Sequence, residues 1–392
     1  MRAGLSAAQL LFSGFIALAV AMGIGRFAFT PLLPMMQQDA GLTLAEGGWL
    51  ASANYLGYLV GALISGRTAW SGQTLLRGGL GLVVLTTVLM GVTDGWLGWL
   101  IWRFLAGVGS AWVLVSAASL CLARLALMGQ SGRAGLIFAG VGVGIAAAGL
   151  LCLGLDIVRV SSPVSWLILG GVACLGALAA WPLWQSNPAA ASTKTAAAVA
   201  PAPSSTSTVR AREKPTRHWR LVAAYGLFGF GYILPATFLP AQARLLVADP
   251  ALFGLAWPLF GLAAAFSTVL TGRFLAAYSR RHVWAASQLF MAVGVLLPVL
   301  MPTLLSIAIA AVFVGGTFMV ITMLAMQEAQ AVAPREAHRL MAAMTAAFAA
   351  GQLAGPLFFS FTHVYFDAPL GFALVLGASG LVAACYLVLR AE

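Results

Sequence analysis

Apolar residues run through this chain in stretches of about twenty, broken by short polar segments, and the runs recur twelve times. A helix rises about 1.5 Å per residue, so roughly 20 apolar residues cross a hydrocarbon layer of about 30 Å. The pattern predicts helical spans over 10–31, 46–66, 75–92, 97–120, 135–155 and 164–184, then over 221–239, 252–271, 283–300, 304–326, 340–361 and 369–389. The first run is longer than the apolar region of a signal peptide, and further spans follow it without a soluble domain between. It is read as an uncleaved first helix. The expected fold is an all-α integral membrane protein.

Composition agrees with that pattern. Apolar residues make up 61% of the chain and charged residues only 8%, against about a quarter in soluble domains. Such a chain cannot clothe a water-facing surface. Its net charge of +11 does not point to nucleic acid, because the basic residues are sorted by side. One set of alternate loops and termini carries nearly all of them, including Arg67, Arg124, Arg133, Arg280, Arg281, Arg335 and Arg339. The opposite set carries only Arg159 and Arg244, beside Asp39, Asp94, Asp156, Asp249 and Asp367. Cytoplasmic loops bear the Lys/Arg excess, so both termini are expected in the cytoplasm. The plasma membrane is the expected location, in a bacterium the inner membrane.

Between spans six and seven the pattern stops. Residues 185–219 hold an Ala/Pro/Ser/Thr-rich stretch and then a basic one, a composition that reads as a linker. The flanking segments repeat one another. Gly23, Gly25, Leu33 and Pro34 match Gly229, Gly231, Leu239 and Pro240 at an offset of 206, and Gly66-Arg67 matches Gly272-Arg273 at the same offset. Gly109 with Gly315, and Gly149 with Gly355, keep it. One offset serving four helix pairs signals duplication. The expected units are an N-terminal bundle (1–184), a linker (185–219) and a C-terminal bundle (220–392).

Six plus six helices around a long central loop, with both termini on one side, resembles the major facilitator superfamily. Arg103, Gly107, Gly109 and Ala111 resemble that family's fourth-helix RxxxGxGxA motif. The stretch Gly61 to Arg67 resembles its loop motif after the second helix, with Ser65 where Asp is usual. The string from Gly23 to Pro34, with Asn54, Tyr55 and Tyr58, resembles the YbfB/YjiJ branch. The resemblance implies two six-helix bundles and transport by alternating access, without naming a cargo.

Two charges lie inside spans, Arg26 and Arg103. An arginine at the centre of a membrane helix costs about 2.5–3.5 kcal/mol on insertion scales, so it normally faces a cavity or a partner. A guanidinium matches a carboxylate or phosphate with two parallel bonds, which makes both residues candidate anion contacts near the outer ends of spans one and four. The alternatives are snorkelling and bonding to helix carbonyls, and the second weighs more for Arg103, whose motif recurs among carriers of unrelated cargo. Tyr232, the repeat counterpart of Arg26, is a further candidate, with Asn54, Tyr58 and Gln352. Helix–helix hydrogen bonds compete with that role for Asn54 and Gln352, and are the expected role of Gln288. Gly57 and Gly61, Gly140 and Gly144, and Gly351 and Gly355 form small-xxx-small pairs. The resemblance brings helices two and eleven, and five and eight, together across the halves, so these glycines are candidate gate contacts; tight packing alone is the alternative.

No Asp or Glu occupies the middle of a span, and no nucleotide loop, zinc spacing or nucleophile–base cluster is evident. Cys121, Cys152, Cys174 and Cys385 stand singly in or beside apolar runs, which disfavours disulfide and metal frameworks. No cofactor and no enzymatic activity are expected. The reading is a secondary transporter of a small solute, most simply an organic anion, with a proton as the candidate coupling ion, lipid as its surroundings and a monomeric state. The competing readings are an efflux transporter of apolar or amphiphilic compounds and a transport-inactive sensor or scaffold.

Overall fold

The computed structural model describes residues 5–184, 218–246, 250–274 and 277–391; the expected linker over 185–217 lies outside them. Twelve long helices follow in order: α1 (Ala7–Ala40), α2 (Leu44–Arg67), α3 (Gly72–Val92), α4 (Trp96–Leu127), α5 (Ala134–Ile157), α6 (Ser162–Ala179), α7 (Trp219–Leu246), α8 (Pro250–Phe274), α9 (Arg280–Leu300), α10 (Leu304–Val332), α11 (Ala337–Phe366) and α12 (Leu370–Leu389). Among the described residues, nine helices are long and apolar enough to cross a membrane. α2 is not one of the nine; it carries Glu46, Asn54, Tyr55 and Tyr58.

The helices outrun the apolar stretches that predict them. α4 continues to Leu127, α10 to Val332 and α1 to Ala40, so Arg26 lies mid-helix rather than near the end of its span. Local chemistry sets several ends. Thr43 and Glu46 form a reciprocal capping box at the start of α2, and Ser6 and Gln9 form another at the start of α1. At the far end of α1, the Asp39 carboxylate accepts from the Ser162 backbone N–H, tying α1 to the first turn of α6. Glu328, expected just beyond span ten, sits buried in the last turns of α10. It accepts from Arg281 at 2.6 Å and Arg280 at 3.1 Å, fastening α10 to the start of α9.

Within each six-helix bundle the first helix packs on the fifth and the second on the fourth. The duplicated glycines follow this symmetry: Gly23 of α1 meets the Gly144 backbone of α5, and Gly229 of α7 meets the Phe348 backbone of α11. The bundles meet along two crossings, α5 on α8 and α2 on α11.

The six candidate gate glycines lie elsewhere. Gly57 and Gly61 abut the Phe104 and Val108 carbonyls of α4, Gly140 and Gly144 the Phe15 and Ala19 backbones of α1, and Gly351 and Gly355 the Gly226–Leu234 stretch of α7. Each pair packs inside its own bundle. Gly135, Gly142 and Gly149, seven residues apart on another face of α5, are the ones that meet α8, at Thr268, at Gly261 and Ala265, and at Trp257 and Pro258. The two sets make separable predictions. Gly140→Val should reduce the yield of folded protein, since its Cβ would overlap the Phe15 carbonyl. Gly142→Val should leave yield near normal and slow transport several-fold, since it wedges the two bundles apart. Expression by size-exclusion profile alongside transport rate checks both; the opposite pattern would return the gate to the first set.

Candidate functional site

The centre of the molecule is built on an irregular stretch of α1. From Ala19 to Phe27 the helix is wound as a π-helix, with α-helical turns on both sides. Such widened turns are rare and are found mainly at functional sites. The α4 helix supplies donors to this stretch. Ser110 Oγ donates to the Ala21 carbonyl at 2.8 Å, and Arg103 donates from Nη1 to the Gly25 carbonyl and from Nη2 to the Arg26 carbonyl, both at 3.3 Å. Arg103 is 3% exposed, and its guanidinium carbon lies 4.6 Å from the centre of the Phe29 ring. Asn54 of α2 completes the support by donating to the Arg103 carbonyl at 3.0 Å. Arg103 and Asn54 are thus engaged with backbone and serve the shape of α1.

Arg26 projects from this supported stretch. It is 4% exposed, and its Nη2 donates to the Gln352 side-chain carbonyl of α11 in the other bundle. Its guanidinium carbon lies 4.0 Å from the centre of the Tyr58 ring, with Tyr55 at 5.5 Å and Phe348 at 5.9 Å, a geometry in which ring faces attract a cation. Nε and Nη1 have no hydrogen-bond partner. Among the described residues no carboxylate pairs with Arg26: Asp39, Glu46, Asp94, Asp156, Glu328, Glu336 and Asp367 all lie near helix ends.

A small cavity adjoins the guanidinium, with about 10 Å³ of room for the centre of a water-sized particle, the space of a single water. Tyr58, Gln352, Tyr225 and Thr322 contribute polar groups to its wall; Met22, Phe27, Leu114, Phe318, Met319 and Phe348 contribute the rest. Phe27 packs between the bundles, 5.9 Å from Phe318 and 6.0 Å from Trp257. Tyr232 stands outside this wall, stacked on Phe318 at 4.8 Å between ring centres. Of the six candidate binding residues, Arg26, Tyr58 and Gln352 meet at the cavity, while Arg103, Asn54 and Tyr232 surround it. Gln288 is fully buried in α9, and among the described residues neither of its amide atoms has a partner, so the helix–helix bond expected of it is not seen there.

Sequence reading missed Phe27, Tyr225, Phe318, Thr322 and Phe348. A phenylalanine in an apolar helix carries no mark separating a cavity wall from a lipid face. Tyr225 carried one: with Phe228 and Tyr232 it forms an aromatic stripe at helical spacing.

A second cluster closes the face that bears the termini. His338, in the first turn of α11, lies 3.0 Å from Ser65 Oγ and 3.2 Å from the Ser65 carbonyl on α2, and 3.1 Å from Ser119 Oγ on α4. The ring thus bridges Ser65 and Ser119, whose hydroxyl also reaches the Ser116 carbonyl at 3.1 Å. One side chain of the second bundle thereby grips two helices of the first, at the loop motif where Ser65 replaces the usual acid. Gln327 adds a bond from α10 to the Ser131 carbonyl at 3.3 Å. His338→Ala removes contacts worth about 0.5–1.5 kcal/mol each, so the closed form of this face should lose roughly tenfold in population. Spin labels at the exposed positions Arg67 and Arg335 should report a longer, broader distance distribution; an unchanged distribution would show that the imidazole is not a latch.

This fold defines a multi-pass membrane protein of the major facilitator type. The chain belongs to the family described as "Uncharacterised MFS-type transporter YbfB", whose model matches residues 18–389. Relatives by sequence include the "Uncharacterized MFS-type transporter YceJ" of Bacillus subtilis (strain 168), 31% identical over 101 residues, which are 25% of this chain and 26% of that protein. The "Uncharacterized MFS-type transporter YcaD" of Salmonella arizonae is 29% identical over 124 residues, 29% of this chain and 30% of that one. The chain thus aligns with less than a third of either relative. Among solved structures, the human organic anion transporter MFSD10 (TETRAN) superposes with a TM-score of 0.72, over 98% of this chain and 100% of that one, at 14% identity. At that identity the likeness concerns the fold alone. Membership of this family, with nine described helices long and apolar enough to cross a membrane, makes the chain a multi-pass membrane protein.

Proposed function

We propose that the protein is a secondary transporter that carries a small organic anion across the plasma membrane by alternating access, with Arg26 as the anion contact. One observation carries the reading: a buried guanidinium adjoins a small cavity and, among the described residues, two of its three nitrogens are unpartnered and no carboxylate neutralises it. A buried cation in such surroundings is costly until an anion arrives. Tyr58 and Gln352 hold the guanidinium in place. Because Gln352 belongs to the second bundle, the Arg26–Gln352 bond links cargo binding to the relative position of the bundles. The bundles are assigned to 1–184 and 220–392, joined by the 185–219 linker, with both termini in the cytoplasm as the arginine and lysine distribution directs. A proton is the proposed coupling ion. The family is one of transporters rather than enzymes, and the proposed cycle includes no chemical step.

The aromatic wall favours a second reading, export of apolar or amphiphilic compounds, in which Arg26 only holds the bundles together. Uptake and efflux in cells lacking the protein, screened across organic acids and their neutral amides, separate the two. The first reading expects the acids alone to change with the protein; equal handling of acids and amides would favour the second.

A further inference from the structure

Resting on the anion reading of this same site, we infer that the cargo is a monovalent acid with an aromatic or bulky apolar body, rather than a dicarboxylate, a sugar phosphate or a polyol. The inference follows from which donors around the cavity are already committed. Tyr225 donates to Thr322 Oγ at 3.3 Å, and Thr322 donates on to the Phe318 carbonyl at 3.1 Å. The Gln352 oxygen is taken by Arg26 Nη2. Tyr58 presents its ring face to the guanidinium. The Arg26 Nε and Nη1 groups remain, with the Tyr58 hydroxyl and the Gln352 amide N–H beside the same guanidinium: one cluster of donors around one positive charge, enough for one anionic headgroup.

The second buried cation cannot serve a second charge. Arg103 spends both terminal nitrogens on the Gly25 and Arg26 carbonyls, stacks on Phe29, and does not line the cavity. A dianion would leave one charge facing Phe27, Phe318, Phe348, Met22, Met319 and Leu114 without a donor. An unpaired charge buried against such a wall is strongly disfavoured. A sugar would strip its hydroxyls of water against the same wall, and the Tyr225 and Thr322 hydroxyls could bond them only by giving up present partners. An aromatic body meets ring faces and thioethers that attract it. The cavity has room for about one water, so Phe27 and Phe318 must separate to admit such a body, and separating them also parts α1 from α10.

The test is equilibrium binding to the purified full-length protein in lipid nanodiscs, using 2-naphthoate, 2-naphthamide, 2,6-naphthalenedicarboxylate, succinate and acetate as probes. The expected order places 2-naphthoate at least tenfold tighter than the amide, the dicarboxylates and acetate, with the advantage over the amide lost in Arg26→Gln. Phe318→Leu, which keeps the charge, should reduce the preference for 2-naphthoate over acetate about fivefold while the variant elutes as wild type. Dicarboxylates binding as tightly as 2-naphthoate, still dependent on Arg26, would overturn this inference and leave the anion reading standing. So would acetate or succinate binding without any naphthoate binding. Equal binding of naphthoate and naphthamide, unchanged in Arg26→Gln, would overturn both, as would a failure of every acid to bind.

Discussion

Arg26→Gln is expected to insert, fold and elute as wild type, yet to carry little or no cargo. Removing the charge relieves the membrane of a buried guanidinium, so the fold should not suffer from its loss. The amide can still bond Gln352, and Tyr58, Tyr55 and Phe348 remain as apolar neighbours. What disappears is the positive charge that the cargo neutralises. A charge-assisted hydrogen bond is worth about 1.5–3 kcal/mol, so cargo affinity should fall roughly tenfold to a hundredfold. Arg26→Lys should recover only part of it. A lysine keeps the charge but loses the planar fork that can hold Gln352 with one nitrogen and an anion with the others. Transport by cells carrying each variant, normalised to membrane-inserted protein, measures the effect, and wild-type rates in Arg26→Gln would remove the anion site from α1.

Arg103→Met is expected to fail differently, by loss of the fold. Its guanidinium is the donor for two carbonyls, Gly25 and Arg26, in the widened stretch of α1. Methionine fills similar space but donates nothing, and each buried carbonyl left unsatisfied costs about 1–3 kcal/mol. Ser110 still holds the Ala21 carbonyl, so the start of the stretch keeps its support while its end, at Arg26, loses it. The variant should show a lower melting temperature and less folded protein, and cargo binding by the fraction that folds should be weakened because Arg26 is no longer held in register. Arg103→Lys should restore only part of the stability, since one ammonium on a flexible stem cannot span both carbonyls as a fork does. A thermally normal Arg103→Met that merely fails to bind cargo would assign Arg103 to the cargo instead.

The contrast between these two arginines marks what sequence can and cannot convey. Both stand out as charges within apolar runs, and hydropathy alone places them inside the membrane. Their fates depend on partners far along the chain: Gln352 is 326 residues from Arg26, and Arg103 reaches carbonyls that exist in every residue. The widened turns from Ala19 to Phe27 leave no mark in composition, because a shift in backbone bonding changes no residue. The twelve helices were legible, since lipid burial imposes length and apolarity on most of them. Helix ends were not, because helices continue past the apolar stretch once caps such as Thr43 with Glu46 satisfy their backbone. Small-residue spacing announced close approach at Gly57, Gly140 and Gly351 but could not name the helix approached. Nothing in the sequence marks His338, because its grip on Ser65 and Ser119 joins segments more than two hundred residues apart.

The central claim is that a cargo anion completes the bonding of Arg26. A structure of the protein with its transported cargo tests it directly. The account predicts an anionic oxygen about 2.7–2.9 Å from Arg26 Nε or Nη1, with the cargo body against Phe318 and Phe348. A cargo lodged on that wall with its charge elsewhere, and with Nε and Nη1 still unbonded, would contradict it.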